Sequence, residues 1–169
     1  MLSDLFHSKV LPVRNKLFRY AYMILNDRDE AEDIVQEVLM KIWMKKENLS
    51  AITSIEGWCI TVTRNLAFDR LRKTKSKYKL PVEMGMNLPS DENPHTRVSR
   101  EDQLNSVYRF IMELPAKQQQ TVFLRDIEGH SYKEISQIMG ISENLVKITL
   151  FRAREALRRK LLNLESYGL

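Results

Sequence analysis

Apolar side chains return every three or four residues along most of this chain, the spacing of helices with one buried face. The clearest case follows Asp27. Ala31, Ile34, Val35, Val38, Leu39 and Ile42 obey the i, i+3, i+4, i+7 rule and form one apolar face. Asp27 stands where a helix needs an N-cap, with Glu30 three residues on in capping-box style. Before it, a helix is expected from Pro12, a residue suited to a first helical turn, through LFRYAYMIL to Asn26. After it, a helix is expected beyond Ser54, carrying Trp58, Val62 and Leu66. The far end of the chain predicts four more. One covers roughly 101–113, and one runs from Pro115 to near Gly129. A short one follows Ser131, whose SYKE string is a Ser-x-x-Glu capping box, and stops at Gly140. The last is capped by Ser142 and reaches about Leu162. A short helix, a tight glycine turn and a longer helix make the helix-turn-helix pattern.

Between these two sets the periodicity stops. The stretch LPVEMGMNLPSDENPHTRVSR contains Pro81, Pro89 and Pro94 and reads as an exposed, flexible linker. The expected fold class is therefore all-α. Two small helical domains, 1–80 and 101–169, are joined by a linker over 81–100.

Composition narrows the function classes. With 5 glycines and 5 prolines the chain has too few turn formers for a β-sandwich. A single Cys59 excludes a disulfide framework and a CxxC metal site, and His7, His95 and His130 are too scattered for a zinc site. Neither a metal nor a cofactor is expected. No nucleophile–base set or glycine-rich phosphate loop is present, so an enzyme is not expected. No apolar run reaches the length of a membrane span, and MLSDLFHSKVLPVRNK lacks a signal-peptide core. The expectation is a cytoplasmic protein with no direct membrane insertion.

The net charge of +5 is unevenly spread. From Asp27 to Glu37 there are six acids and one base; from Arg64 to Lys79, seven bases and one acid; from Lys147 to Lys160, six bases and one acid. Three charged blocks suggest separate surfaces with separate partners. On the acidic helix, Asp33, Gln36, Glu37, Met40 and Met44 share a narrow arc opposite the apolar face, the mark of a protein interface for a basic partner. The block RNLAFDRLRKTKSKYK interleaves Phe68 and Tyr78 with bases, as single-strand binders do. Trp58 and Asn65 lie two helical turns apart and can face one partner, although spacing alone fits Trp58 equally to a core. In the last helix, Val146, Leu150, Ala153, Leu157 and Leu161 share a face to be buried. Lys147, Ile148, Phe151 and Arg152 point away from it, with Arg154 at the flank, and Ser142, Glu143 and Asn144 open the helix. Such a helix fits the major groove of duplex DNA.

These three surfaces, in this order, resemble the sigma-70 family of bacterial RNA polymerase sigma factors, in its extracytoplasmic function (ECF) group. The resemblance rests on LFRYAYMILNDRDEAEDIVQEVLMKIW, GWCITVTRNLAFDRLRK and LPAKQQQTVFLRDIEGHSYKEISQIMGISENLVKITLFRAREALRRKL. It implies a sigma domain 2-like helical bundle and a sigma domain 4-like helix-turn-helix. The partners it implies are core RNA polymerase (its β′ clamp helices and β subunit), promoter DNA and an anti-sigma factor. Asp33, Gln36, Glu37 and Met40 would meet the polymerase. Trp58, Arg64, Asn65, Asp69, Arg72 and Lys73 would read the −10 element, with Asn65 at the place of a captured, flipped-out base. Ser142, Glu143, Asn144, Lys147, Ile148, Phe151, Arg152 and Arg154 would read the −35 element. Ile148 and Thr149 depart from the small polar and basic residues common there, so base preferences do not carry over. A free-standing helix-turn-helix regulator is the alternative, and it would need no polymerase surface.

Overall fold

A computed structural model of the chain describes residues 2–77 and 100–166. The linker expected over 81–100 lies almost wholly outside them, as do Tyr78 and Lys79. Among the described residues there are eight α-helices and no strands. The first half holds α1 (Leu2–Lys9), α2 (Arg14–Leu25), α3 (Arg28–Met44) and α4 (Ile55–Lys77). The second holds α5 (Arg100–Met112), α6 (Ala116–Val122), α7 (Tyr132–Met139) and α8 (Glu143–Ser166).

α2, α3 and α4 form a bundle whose order is set by local chemistry at the helix ends. Asn26 takes the left-handed conformation (φ 50°), which asparagine tolerates, and its N–H bonds Tyr22 O at 2.7 Å. The chain thus reverses directly into Asp27, whose carboxylate accepts from Glu30 N at 3.1 Å. The expected reciprocal half of a capping box gives way to an ion pair, because Glu30 turns its carboxylate to Arg70. The predicted apolar row of α3 is buried at Ala31, Ile34, Val35, Val38 and Ile42. Ser54 caps α4 by accepting from Gly57 N at 3.0 Å. Two elements carried no readable signal: α1, and the tight 3-10 turn Lys46–Ala51 between α3 and α4. The helix expected from Pro12 is a 3-10 turn, Leu11–Val13, running into α2.

In the second half, α6 does not continue regularly to Gly129. It widens into a π-turn, Phe123–Ile127, with Glu128 N bonding Phe123 O at 3.0 Å. The capping box at Ser131 is complete: Ser131 Oγ accepts from Glu134 N, and Glu134 accepts from Ser131 N. Gly140 (φ 67°) supplies the left-handed stop, and Ser142 Oγ accepts from Leu145 N at 3.1 Å to start α8. Val146, Thr149, Leu150 and Ala153 are buried. Farther along the expected face, Leu157 is half-buried and Leu161 is exposed, because α8 outruns the helices beneath it.

The two halves are packed together. A single apolar cluster runs from Val10, Leu17, Tyr20 and Cys59 in the first half to Phe123, Leu124, Ile135, Ile138, Met139 and Val146 in the second. The rings of Tyr20 and Phe123 stack with centroids 5.7 Å apart. Around the stack, Arg19 pairs with Glu128 at 2.8 Å. Lys16 pairs with Glu56 at 2.8 Å, and His130 Nε2 lies 3.8 Å from the same carboxylate.

Candidate polymerase and promoter interfaces

The outer face of α3 is open. Asp33 and Gln36 are exposed, Glu37 is half-buried, and Met40 and Met44 are 65% and 79% exposed, next to a 42% exposed Trp43. Flexible thioethers standing in water beside carboxylates suit a protein partner with a basic, partly apolar surface. The acids are not all free, however. Arg70 of α4 donates to Glu30 at 2.6 Å and Glu37 at 3.4 Å, and it lies 3.9 Å from Asp33. The acidic and basic blocks, expected on separate surfaces, therefore meet at this arginine. Both blocks were visible in the sequence, but only the crossing of α3 and α4 brings them together.

Beside this face, Trp58 and Asn65 line one open cavity of about 540 Å³ with Lys41, Met44, Lys45, Val62 and Leu66. The lining combines an aromatic face, an amide and two ammonium groups. That set can stack an unpaired base, bond its edge and meet its phosphate. Lys41 and Lys45, at the end of α3, were not singled out from sequence. Lys41 stands four residues after Glu37 and Lys45 four further on, but nothing in that spacing signals their nearness to Asn65.

The remaining −10 candidates divide. Lys73 is exposed, and Asp69 and Arg72 are exposed and paired with each other. Arg64 is engaged within the chain. Its guanidinium lies 5.0 Å over Phe68, and its Nε donates to Gln120 Oε1 of the second half at 2.9 Å. Tyr20 Oη donates to the same oxygen at 3.0 Å. Gln120 is fully buried and returns its own Nε2–H to Ala116 O. Burial raises the Tyr20 phenol well above its ordinary pKa, with Arg64 pulling weakly the other way. In this arrangement Arg64 ties the halves together and is not offered to a partner. A second cavity, about 480 Å³, lies where Gly57, Trp58 and Thr61 face Glu134, Gln137 and Ile138 of α7. α7 thus stands against the very turn of α4 that carries Trp58. Burial also pushes the Cys59 thiol, on that stretch, up to about 12.

α8 is different. Ser142, Glu143, Asn144, Lys147, Ile148, Phe151 and Arg152 are all exposed. Lys147 sits 5.7 Å over the Tyr132 ring, which steadies its base on the helix-turn-helix. Arg154 is exposed but committed. It makes a two-pronged pair with Asp126 at 3.1 and 2.6 Å, and that hydrogen bond raises its pKa further. Asp126 is aimed at it by the π-turn, a feature with no periodicity for a sequence to betray. Arg154 braces α8 against the π-turn that follows α6, so its guanidinium is already paired in this arrangement. No group of His, Cys, Asp and Glu able to hold a metal occurs among the described residues, and no described helix is long and apolar enough to cross a membrane.

Comparison with known proteins agrees with this geometry. Residues 10–77 match the family described as Sigma-70 region 2, and residues 104–157 the one described as Sigma-70, region 4. The chain is 29% identical over 170 residues to the ECF RNA polymerase sigma factor SigW of Bacillus subtilis, covering 95% of this chain and 91% of that one. It is 31% identical over 137 residues to the RNA polymerase sigma factor SigZ of the same species, covering 81% and 76%. Its fold is similar to that of the sigma factor RpoE from Bartonella quintana, solved with the anti-sigma factor NepR. There the TM-score is 0.72 at 26% identity, over 92% of this chain and 96% of that one. CnrH, solved with the cytosolic domain of CnrY, shares the fold with a TM-score of 0.61 at 18% identity, over 95% and 86%. Two families matched in order, and relatives aligned across both halves, show that the chain belongs to the sigma-70 family and is an ECF RNA polymerase sigma factor, a protein of transcription initiation.

Proposed function

We propose that this sigma factor reads −35 duplex DNA with α8 and captures unpaired −10 bases with the cavity between α3 and α4. It docks on core polymerase through Asp33, Gln36, Glu37 and Met40, against the β′ clamp helices. The observation that carries this reading is the pairing of two unlike surfaces in one chain. One is a cationic helix face shaped for a groove; the other is a cavity with an aromatic wall, an amide and two lysines. The first suits paired DNA and the second a displaced base, and initiation needs both. Stacking and capture offset an unstacking cost of a few kcal/mol. The protein works by binding alone and performs no covalent step, as a cytoplasmic partner of polymerase.

Reading both elements requires the halves to part. Two elements centred about 25 base pairs apart are separated by roughly 85 Å of duplex, at about 3.4 Å per step. A compact chain of this length has a radius of gyration of only about 15 Å. Polymerase would hold the parted halves at the right spacing, so that two weak contacts act as one strong one. The packed arrangement is then the resting form, and an anti-sigma factor, as bound by RpoE, would hold the halves away from DNA.

The test is transcription by core polymerase reconstituted with this chain, with the 5′ ends of the transcripts sequenced. Initiation from a defined promoter set is expected; failure to initiate at any genomic promoter overturns the reading. Gln36→Ala with Met40→Ala should weaken core binding. A free-standing DNA regulator would be indifferent to that change.

A further inference from the structure

Two large apolar side chains stand on the face of α8 that the fold leaves uncovered. At about 100° per residue from the buried row Val146, Leu150 and Ala153, Ile148 and Phe151 fall about 60° apart, on either side of the outward direction. Ile148 is 39% exposed and Phe151 67%. Packing does not call for them there: between them in sequence, Thr149 is buried, so the polar residue faces in and the apolar ones face out. Lys147 and Arg152 flank the pair and are exposed, which favours a polyanionic occupant. Asn144, one turn earlier on the same arc, is exposed too. A polyanion that admits a helix and offers an apolar spot is duplex DNA with thymine in the groove, whose C5-methyl group projects from the major-groove edge. Three residues of helix advance about 4.5 Å along the axis. One base-pair step advances about 3.4 Å, so the two side chains reach neighbouring pairs.

We propose that Ile148 and Phe151 set the sequence preference of α8 by seating the thymine methyl groups of two neighbouring A·T pairs. This rests on α8 being the −35 reader. It adds which bases the reader prefers and by what contact. Lys147 and Arg152 supply affinity and register through phosphates and base edges, while the apolar pair distinguishes a methyl-bearing base from its analogues.

The experiment uses holoenzyme assembled from the full chain and core polymerase. It selects binding sites from a duplex library randomised across the promoter. The expected −35 sites carry adjacent A·T pairs. Replacing thymine by deoxyuridine removes only the methyl, and should lower affinity about fourfold at each of two neighbouring positions. Ile148→Ser should erase that loss at one position and Phe151→Ser at the other. Both residues are exposed, so melting curves should match the parent and exclude misfolding. Selected sites without thymine, or sites indifferent to deoxyuridine, overturn the methyl contact. If Lys147→Ala with Arg152→Ala still weakens binding in that case, the −35 reading survives. If that double variant binds undiminished and no −35 preference is selected, both fall.

Discussion

α4 and α8 are nearly equal in length, 23 and 24 residues, and each carries a basic block that faces DNA in the proposed function. α8 buries one row of side chains and leaves the opposite face to solvent from Ser142 to Arg152. α4 is engaged on more than one side. It packs on α2 and α3, it meets α7 beside Trp58, and Arg64 is drawn into a buried polar cluster with Tyr20 and Gln120. One helix is presented and the other is partly sheathed by the half of the chain that carries the first. If the two helices read DNA as proposed, α8 is open to duplex in the packed form, whereas α4 is fully available to an unpaired strand only when the halves separate. On that reading, the contacts that stabilise the fold would also hold back premature capture of unpaired bases.

Removing the ring stack should test this asymmetry most strongly. Phe123→Ala empties a fully buried site against Tyr20 and should cost about 3–5 kcal/mol in urea unfolding. Phe151→Ala, an aromatic truncation of the same size on the open helix, should stay within about 0.5 kcal/mol. Equal losses would mean that the two readers are not differently housed.

Gln120→Leu comes next. It keeps the volume but deletes the oxygen that both Tyr20 Oη and Arg64 Nε use. Leaving those donors unpaired should cost about 1–3 kcal/mol. Hydrogen exchange should quicken at the seam while the amides of α8 stay protected. A loss confined to the second half would show that Gln120 serves only its own domain.

This seam marks the limit of what the sequence reveals. From α2 onward the helices were legible, as were the caps at Asp27, Ser131 and Ser142, because period and capping are local. The open face of α8 was legible too, since one buried row fixes what points outward. α4 was not, because it is covered on several sides and its polar residues are shared among partners. Nothing near Arg64 in the chain signals Gln120, which lies 56 residues away. The pairing of Arg154 was hidden for a related reason: it lies at the flank of the open face of α8, and the π-turn that delivers Asp126 has no sequence period. Arg70 shows the same effect between two blocks that were each read correctly. Charge runs reveal which surfaces exist; only the packing reveals which of their members are already spoken for.

Salt dependence gives a smaller, graded test. Lys73 and Lys75 are exposed toward the end of α4. Changing both to alanine should weaken promoter binding across sequences and flatten the slope of log affinity against log salt by about one unit per lost phosphate contact. Lys147→Ala with Arg152→Ala should flatten it comparably. An effect from the α8 pair alone would mean that the open end of α4 is solvated and nothing more.

Acid should loosen the cover over α4 before it touches α8. Glu134 is held below the ordinary carboxylate range, chiefly because Ser131 N–H donates to it at 2.9 Å, with His130 Nδ1 alongside at 3.2 Å; partial burial opposes them. A carboxyl with a depressed folded pKa stabilises the fold fully above its unfolded value, near 4.5, and loses that contribution as pH falls through the folded value. The group is half exposed, so at neutral pH its worth is well under about 1 kcal/mol. Glu134→Gln should be slightly less stable than the parent at neutral pH and converge with it as pH drops below 4.5. The capping box it completes opens α7, the helix that stands against α4. Hydrogen exchange in mild acid should therefore rise first in the initial turn of α7 and along the α4 turn it faces. The amides of the first turn of α8 should hold, because Ser142 caps that end with a hydroxyl that does not titrate. If α8 exchanges at the same pH as α7, the two helices of the motif unfold together and the cover cannot loosen alone.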